Sequence, residues 1–151
     1  MKTMTDENVL SQKFEIAGGD FSKAGDISTQ VKEILQEIGI NSSIIRRAAI
    51  AAYEAEMNVV MYANKAELTL TITPEQLHIK LVDEGPGIKD IELAMQEGFS
   101  TATDEMREMG FGAGMGLPNI KKNADQFDIS SELGKGTLVN IIIFLNQKGK
   151  E

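Results

Sequence analysis

From Ile44 to Asn64 the chain runs without a glycine or a proline, and Ala48, Ala49, Ile50, Ala51, Ala52, Ala55, Met57, Val59, Val60 and Met61 leave that run almost no polar side. Such residues favour a helix, and a helix apolar nearly all round must be packed on several sides. Asn41, Ser42 and Ser43, just before it, carry side-chain oxygens able to cap its first N–H groups. The fold has to be built around this helix. Inside it stand Glu54 and Asn58, whose spacing of four puts both on one helical face, about one turn apart. An unpaired carboxylate in apolar surroundings costs roughly several kcal/mol, so a sequence that places one there supplies a partner or a task. In one reading Asn58 offers its amide oxygen to Mg²⁺ while Glu54 orients or deprotonates a hydroxyl or water near a terminal phosphate. In the other the pair satisfies nearby backbone groups or faces water.

The remaining pattern alternates strand and helix signals. Gln12 to Ala17 reads as an edge strand ended by Gly18-Gly19, and Ile27, Val31, Ile34, Leu35 and Ile38 recur at helical spacing before Gly39. Glu67–Thr73 and Gln76–Val82 form a hairpin through Pro74-Glu75. Asp90–Gln96 predicts a short helix, and Leu117 to about Gln126 a further one with Pro118 in its first turn, where proline is tolerated. Phe127–Ser131 and Thr137–Leu145 are the last two strands. This order predicts an α+β fold, a two-layer sandwich of helices on a mostly antiparallel sheet. With 151 residues, one domain spanning 1–151 is expected, with an ordered core over 10–146.

Composition narrows the chemistry. Fifteen basic residues against 23 acidic ones give a net charge of -8, and no Lys/Arg cluster forms the footprint of a nucleic-acid binder, so neither nucleic acid nor an anionic membrane is an expected partner. The absence of cysteine excludes disulfides and thiolate chemistry. The single histidine, His78, lies in a strand pattern and removes most imidazole-based mechanisms. Met1 to Leu10 is polar and acidic rather than signal-like, so the cytoplasm is the expected location.

Two glycine-rich segments add to the Glu54–Asn58 pair. Asp83-Glu-Gly85-Pro-Gly87 follows an apolar strand directly. It is either an ordinary turn or a place where a strand-terminal Asp accepts from an exocyclic amine while glycines let the backbone pass a flat ring such as adenine. Gly110, Gly112, Gly114 and Gly116 run straight into a helix pattern, so backbone N–H groups and a positive helix end can converge on phosphate oxygens. The spacing fits neither a Walker loop nor a Rossmann turn. Gly98 to Met109 is polar with little periodicity and is expected to be mobile.

In order and spacing these segments resemble the Bergerat (GHKL) ATP-binding superfamily of gyrase B, MutL, histidine kinases and the bacterial anti-sigma-factor kinases. Glu54-Ala-Glu-Met-Asn58 is similar to its N box, Asp83-x-Gly85-x-Gly87 to its first glycine box and Gly112-x-Gly114-x-Gly116 to its second. Gly136-Thr137 resembles the motif whose hydroxyl supports the adenine-binding Asp. Ile88, Met115 and Leu117 flank the glycines and count with Gly110 among the nucleotide-binding positions. The resemblance covers about residues 40–145 and implies a lid over 98–112.

The short separation of the two glycine boxes, and a chain that stops after the last strand, resemble the compact anti-sigma-factor and switch-protein serine/threonine kinases. No histidine precedes Glu54 to mark a histidine-kinase hairpin. The resemblance implies transfer of the γ-phosphoryl of ATP to a small partner of the anti-sigma-antagonist type, with Glu54 as general base, Asn58 as Mg²⁺ ligand, and a sigma factor as a further partner. It is also compatible with a homodimer using the first strand and helix. An ATP/ADP-responsive binding module without phosphotransfer and a simple ATPase are the competing expectations. Where many relatives carry a basic residue just beyond the N-box Asn, this chain has Tyr62, then Lys65. Lys121 and Lys122 read as a solvated helix face, and Arg107 is the candidate for transition-state charge.

Overall fold

The sheet is built outward from its most apolar hairpin. The computed structural model describes residues 3–4, 9–97 and 116–145. In β3 (Lys65–Ile72) Ala66, Leu68, Leu70 and Ile72 alternate inward, and in β4 (Gln76–Glu84) Leu77, Ile79 and Leu81 do the same. The antiparallel register sets Leu70 opposite Ile79 and Leu68 opposite Leu81, so both inward rows meet on one face. Thr73 closes the turn, its hydroxyl oxygen accepting from Glu75 N and Gln76 N. On one side of the hairpin β2 (Leu10–Ala17) pairs with β3, and the two-residue β1 (Thr3–Met4) pairs with β2. On the other side β6 (Gly136–Phe144) pairs with β4 and β5 (Gln126–Glu132) pairs with β6. The order is β1-β2-β3-β4-β6-β5, with every pairing antiparallel.

One face of this sheet carries the helices. α1 is Asp26–Glu37, α2 Ser42–Tyr62, α3 Ile91–Ala94 and α4 Gly116–Asn123. α2 packs against α1 and α4. Ala48, Ala51, Ala52 and Ala55 are buried along it, and side chains that short let neighbouring helices approach closely. Leu35 from α1, Val59 from α2 and Ile120 from α4 meet Leu68, Leu77 and Ile141 of the sheet with no exposed surface, each worth about 1.5–3 kcal/mol of burial. No helix among the described residues is long and apolar enough to cross a membrane.

The architecture is the expected α+β sandwich, with four local differences. Gln12–Ala17 is not an edge, because Thr3–Met4 pairs beyond it; two residues give no alternation to read. The helix expected over Asp90–Gln96 is the shorter Ile91–Ala94, capped by Asp90 accepting from Leu93 N at 3.0 Å. The helix expected to reach about Gln126 stops at Asn123, since Gln126 already faces Ile142 in a ladder. The fourth concerns acidic residues on α2. Glu54 is only half-buried, whereas Glu56 is 1% exposed.

Glu56 is fully occupied by the start of α1. That helix begins after Gly25 in the left-handed region and has no capping side chain of its own. Glu56 instead accepts from Gly25 N (3.1 Å), Ile27 N (3.1 Å) and Ser28 N (2.9 Å). A carboxylate there satisfies three otherwise orphaned donors and faces the positive end of the helix. Glu56→Ala should cost about 2–4 kcal/mol in urea denaturation, because buried N–H groups lose a charged acceptor. A loss below about 1 kcal/mol would mean that water replaces the carboxylate.

Candidate functional site

Glu54 and Asn58 reach α4 from the same side of α2. Asn119 Nδ2 donates to Glu54 Oε2 at 3.1 Å, fixing the carboxylate between the helices. One turn on, Asn58 stands against Gly116, the first residue of α4: a Cβ there would lie 3.1 Å from Asn58 Oδ1. The missing side chain leaves the Asn58 amide open beside a helix N-terminus, a place that favours negative ligands.

The far end of α2 is tied to the Asp83 turn. Gly18 N donates to Asn64 O and Gly19 N to Val60 O, both at 2.8 Å, while Asn64 N donates to Glu84 O at 2.7 Å. Gly85 packs on Ala63, the residue that ends the helix. The helix thus fixes where β4 delivers Asp83. Nine residues of helix separate Glu54 from Ala63, about 14 Å along the axis. The candidate site therefore runs lengthwise along the second half of α2.

Asp83 is held by backbone. Its Oδ1 accepts from Thr137 N at 3.0 Å, and a Cβ on Gly136 would fall 2.0 Å from the Asp83 carbonyl oxygen, so only glycine lets the two strands approach this closely. Burial raises the Asp83 pKa above the ordinary carboxylate value, and the Thr137 N–H opposes that rise. The Thr137 hydroxyl does not reach the Asp, as its motif implied; it pairs with Ser131 Oγ at 2.9 Å. Ser131 also donates to Gly136 O (3.1 Å) and accepts from Ile88 N (2.7 Å). Its one proton and two lone pairs are all used. The support for Asp83 is therefore a backbone amide, and the hydroxyl pair clamps the Ile88 segment to β5 and β6. Gly87 has φ +79 and its α-carbon faces Glu132 O, where a Cβ would come within 2.6 Å. Gly134 N→Pro86 O (2.9 Å) and Gly85 N→Lys135 O (3.2 Å) bind this turn to the β5–β6 turn.

Of the expected positions, Glu54, Asn58 and Gly116 come together at α4, and Asp83, Gly85, Gly87, Ile88 and Thr137 at the sheet end. Leu117 is buried in the core below α4. Gly110, Gly112, Gly114, Met115, Arg107 and the rest of 98–112 lie outside the described residues. Lys121 and Lys122 are exposed, as expected of a solvated face, and Lys122 comes within 4.0 Å of Glu97. Lys65 pairs with Glu84 at 3.6 Å. Asn119, Ser131 and Glu56 escaped the sequence reading. A serine at an inward position of β5, in phase with Phe127 and Ile129, was the available signal for Ser131.

Residues 22–143 match the family described as the histidine kinase-like ATPase domain. The chain is similar to the serine/threonine-protein kinase RsbT of Bacillus subtilis (strain 168), 31% identical over 118 residues, which cover 76% of this chain and 83% of the relative. It is also similar to the anti-sigma F factor of Caldanaerobacter subterraneus subsp. tengcongensis, 29% identical over 124 residues with 82% and 79% covered. The anti-sigma F factor of Thermoanaerobacter sp. (strain X514) is 30% identical over 122 residues, with 81% and 78% covered.

The raised pKa of Asp83 sets a pH dependence. A carboxyl whose pKa is higher folded than unfolded stabilises the fold when protonated, and that contribution is lost as pH rises through the folded value. Asp83→Asn keeps the acceptor for Thr137 N–H and removes the titration. The variant should therefore gain stability relative to the native chain as pH rises from the carboxylate range to neutrality, followed by urea denaturation at each pH. A difference that stays constant with pH, or falls, would contradict this assignment.

Proposed function

The chain belongs to the histidine kinase-like ATPase domain family, and from that premise we propose that it is an ATP-dependent serine/threonine protein kinase of the anti-sigma-factor kind. It moves the γ-phosphoryl group of ATP to a small regulatory protein. The observation that carries this reading is the placement of Glu54 and Asn58 at the first residue of α4 by the same helix whose far end fixes Asp83.

Each residue then has a role. Asp83 accepts from the exocyclic amine of adenine, with Gly85, Gly87 and Ile88 along the ring and Thr137 bracing the carboxylate. Gly110, Gly112, Gly114, Met115, Gly116 and Leu117 form the phosphate side, with 98–112 as a lid. Among the described residues no three acidic or histidine side chains gather as a metal cage, and the open Asn58 amide fits an ion that takes one or two protein oxygens together with substrate phosphates, as Mg²⁺ does. When bound, that ion would supply charge neutralisation on the phosphates. Glu54 takes the proton from the acceptor hydroxyl as the new O–P bond forms and the bond to the bridging oxygen of ADP breaks. Asn119 keeps the Glu54 carboxylate oriented for this.

The acceptor is an anti-sigma-antagonist-like protein, with a sigma factor as a second partner, a homodimer as the working assembly and the cytoplasm as the site of action. Residues 1–151 act as one ATP-binding domain.

Incubation of the full chain with Mg²⁺, γ-labelled ATP and small regulatory proteins encoded beside it should label one of them. Free phosphate alone would make the protein an ATPase, and nucleotide binding with neither product would make it a sensor. Glu54→Ala should lower transfer at least about a hundredfold while ATP affinity by calorimetry stays within about tenfold of native. Loss of ATP binding in that variant would make Glu54 structural. Asp83→Asn should weaken ATP binding about tenfold or more, since a buried partner for the adenine amine is altered; unchanged affinity would remove the adenine assignment.

A further inference from the structure

Among the described residues, a concavity meets the candidate site at Glu54. It is an open groove of about 300 Å³ between α1 and α2, lined by Ser28, Thr29 and Lys32 on one side and Ala49, Ile50, Tyr53 and Glu54 on the other. Neither Asn58 nor Asp83 contributes to it. In-line phosphoryl transfer brings the acceptor oxygen to phosphorus from the side opposite the leaving oxygen. The acceptor must therefore arrive over a surface that shares the base with the nucleotide site and little else.

We propose that the α1–α2 groove receives the acceptor segment of the partner protein: an extended stretch bearing the serine or threonine, with a carboxylate for Lys32 and an aliphatic side chain for Ile50 and Tyr53. This rests on the kinase reading of Glu54. The chemistry of the lining sets the terms. Lys32 is exposed and forms no ion pair among the described residues, in a chain of net charge -8. It is the one cation lining the groove, so an acidic partner group is the complement. Tyr53 is 40% exposed, and its ring lies over Gly25, with Cε1 3.6 Å from where a Cβ would stand. A half-open aromatic ring beside partly buried Ala49 and Ile50 is a ready seat for an apolar side chain. The hydroxyl of Thr29 is already given to Gly25 O at 2.8 Å, leaving charge and shape at Lys32, Ile50 and Tyr53 as the reading surface. Ser28, which also lines the groove, is tied to α2 because its N–H donates to Glu56. The groove, at the low end of ligand-pocket volumes, has room for a few side chains, which suits a short acceptor stretch.

The test uses the full chain with Mg-ATP and two synthetic serine peptides, both with a leucine beside the serine, one flanked by aspartates and the other by lysines. The native chain should bind and phosphorylate the aspartate peptide, with amide shifts concentrated at Thr29, Lys32 and Tyr53. Lys32→Glu should lower kcat/KM for it about fivefold to tenfold and raise that for the lysine peptide, a reversal expected of a rim charge. Tyr53→Ala should weaken both about tenfold through lost apolar contact. Calorimetry should find ATP affinity unchanged in both variants, which also reports that they fold. Binding with the Lys32 reversal but without transfer would uphold the groove and defeat the kinase reading. Transfer indifferent to Lys32 and Tyr53 would defeat the groove and leave the kinase. Absence of both binding and transfer, or shifts that fall elsewhere, overturns the docking proposal.

Discussion

The first turn of α1 is held by a carboxylate buried away from the surface. Glu56 takes three backbone N–H groups, from Gly25, Ile27 and Ser28, at 2.9–3.1 Å and 1% exposure. It belongs to the same helical stretch as Glu54 and Asn58 but points to the other side, since two residues of helix turn the side chain by about 200°. α2 is thereby tied to α1 by Glu56 and to α4 by Glu54 through Asn119. Its C-terminal end is tied to β4 through Asn64 N and Glu84 O. The positions of Glu54, Asn58 and Asp83 follow from where that one helix is held.

Two of these attachments also answer backbone demands. The N-terminus of α1 lacks a side-chain cap and receives one from α2; near the C-terminus of α2 the Val60 carbonyl accepts from Gly19 N, and Asn64, just past the helix, accepts from Gly18 N and donates to Glu84 O. The turn at Asp83 is joined to the β5–β6 turn by Gly85 N and Gly134 N. The candidate site lies where these obligations converge. Satisfied backbone groups there hold the polar side chains in place alongside the packing of α2 on α4.

What the sequence made legible was whatever has a period or a local motif. The apolar run of α2, the alternation of β3, β4 and β6, and the glycines around Asp83 all survive into the structure with boundaries shifted by one or two residues. What it hid depends on tertiary neighbours. Glu54 and Glu56 look equally misplaced in an apolar helix; only the approach of α1 decides that Glu56 is the sealed one. Thr137 was expected to support Asp83 through its hydroxyl, but the close crossing of Gly136 and Asp83 brings its amide there instead, and the hydroxyl turns to Ser131. Asn119 lies far from Glu54 along the chain, and nothing local in its helix marks the contact. The second glycine-rich segment up to Met115 lies outside the described residues, so its motif stands on sequence and resemblance.

Glu56 and Asp83 show how environment divides the work of two acidic residues. Glu56 has three backbone donors and no opening, which leaves it nothing further to accept. Asp83 has one backbone donor at Oδ1 and enough burial to raise its pKa. A carboxyl in that condition gains most from one more N–H, because each added donor favours the charged form that burial disfavours. An amine-bearing ring placed against Asp83 would provide that donor and offset part of the desolvation. Glu54 lies near the middle of α2, about 14 Å along the axis from the turn at Ala63. In the proposed function, nucleotide affinity at Asp83 and acceptor choice beside Glu54 would therefore rest on separate groups and would change independently on substitution.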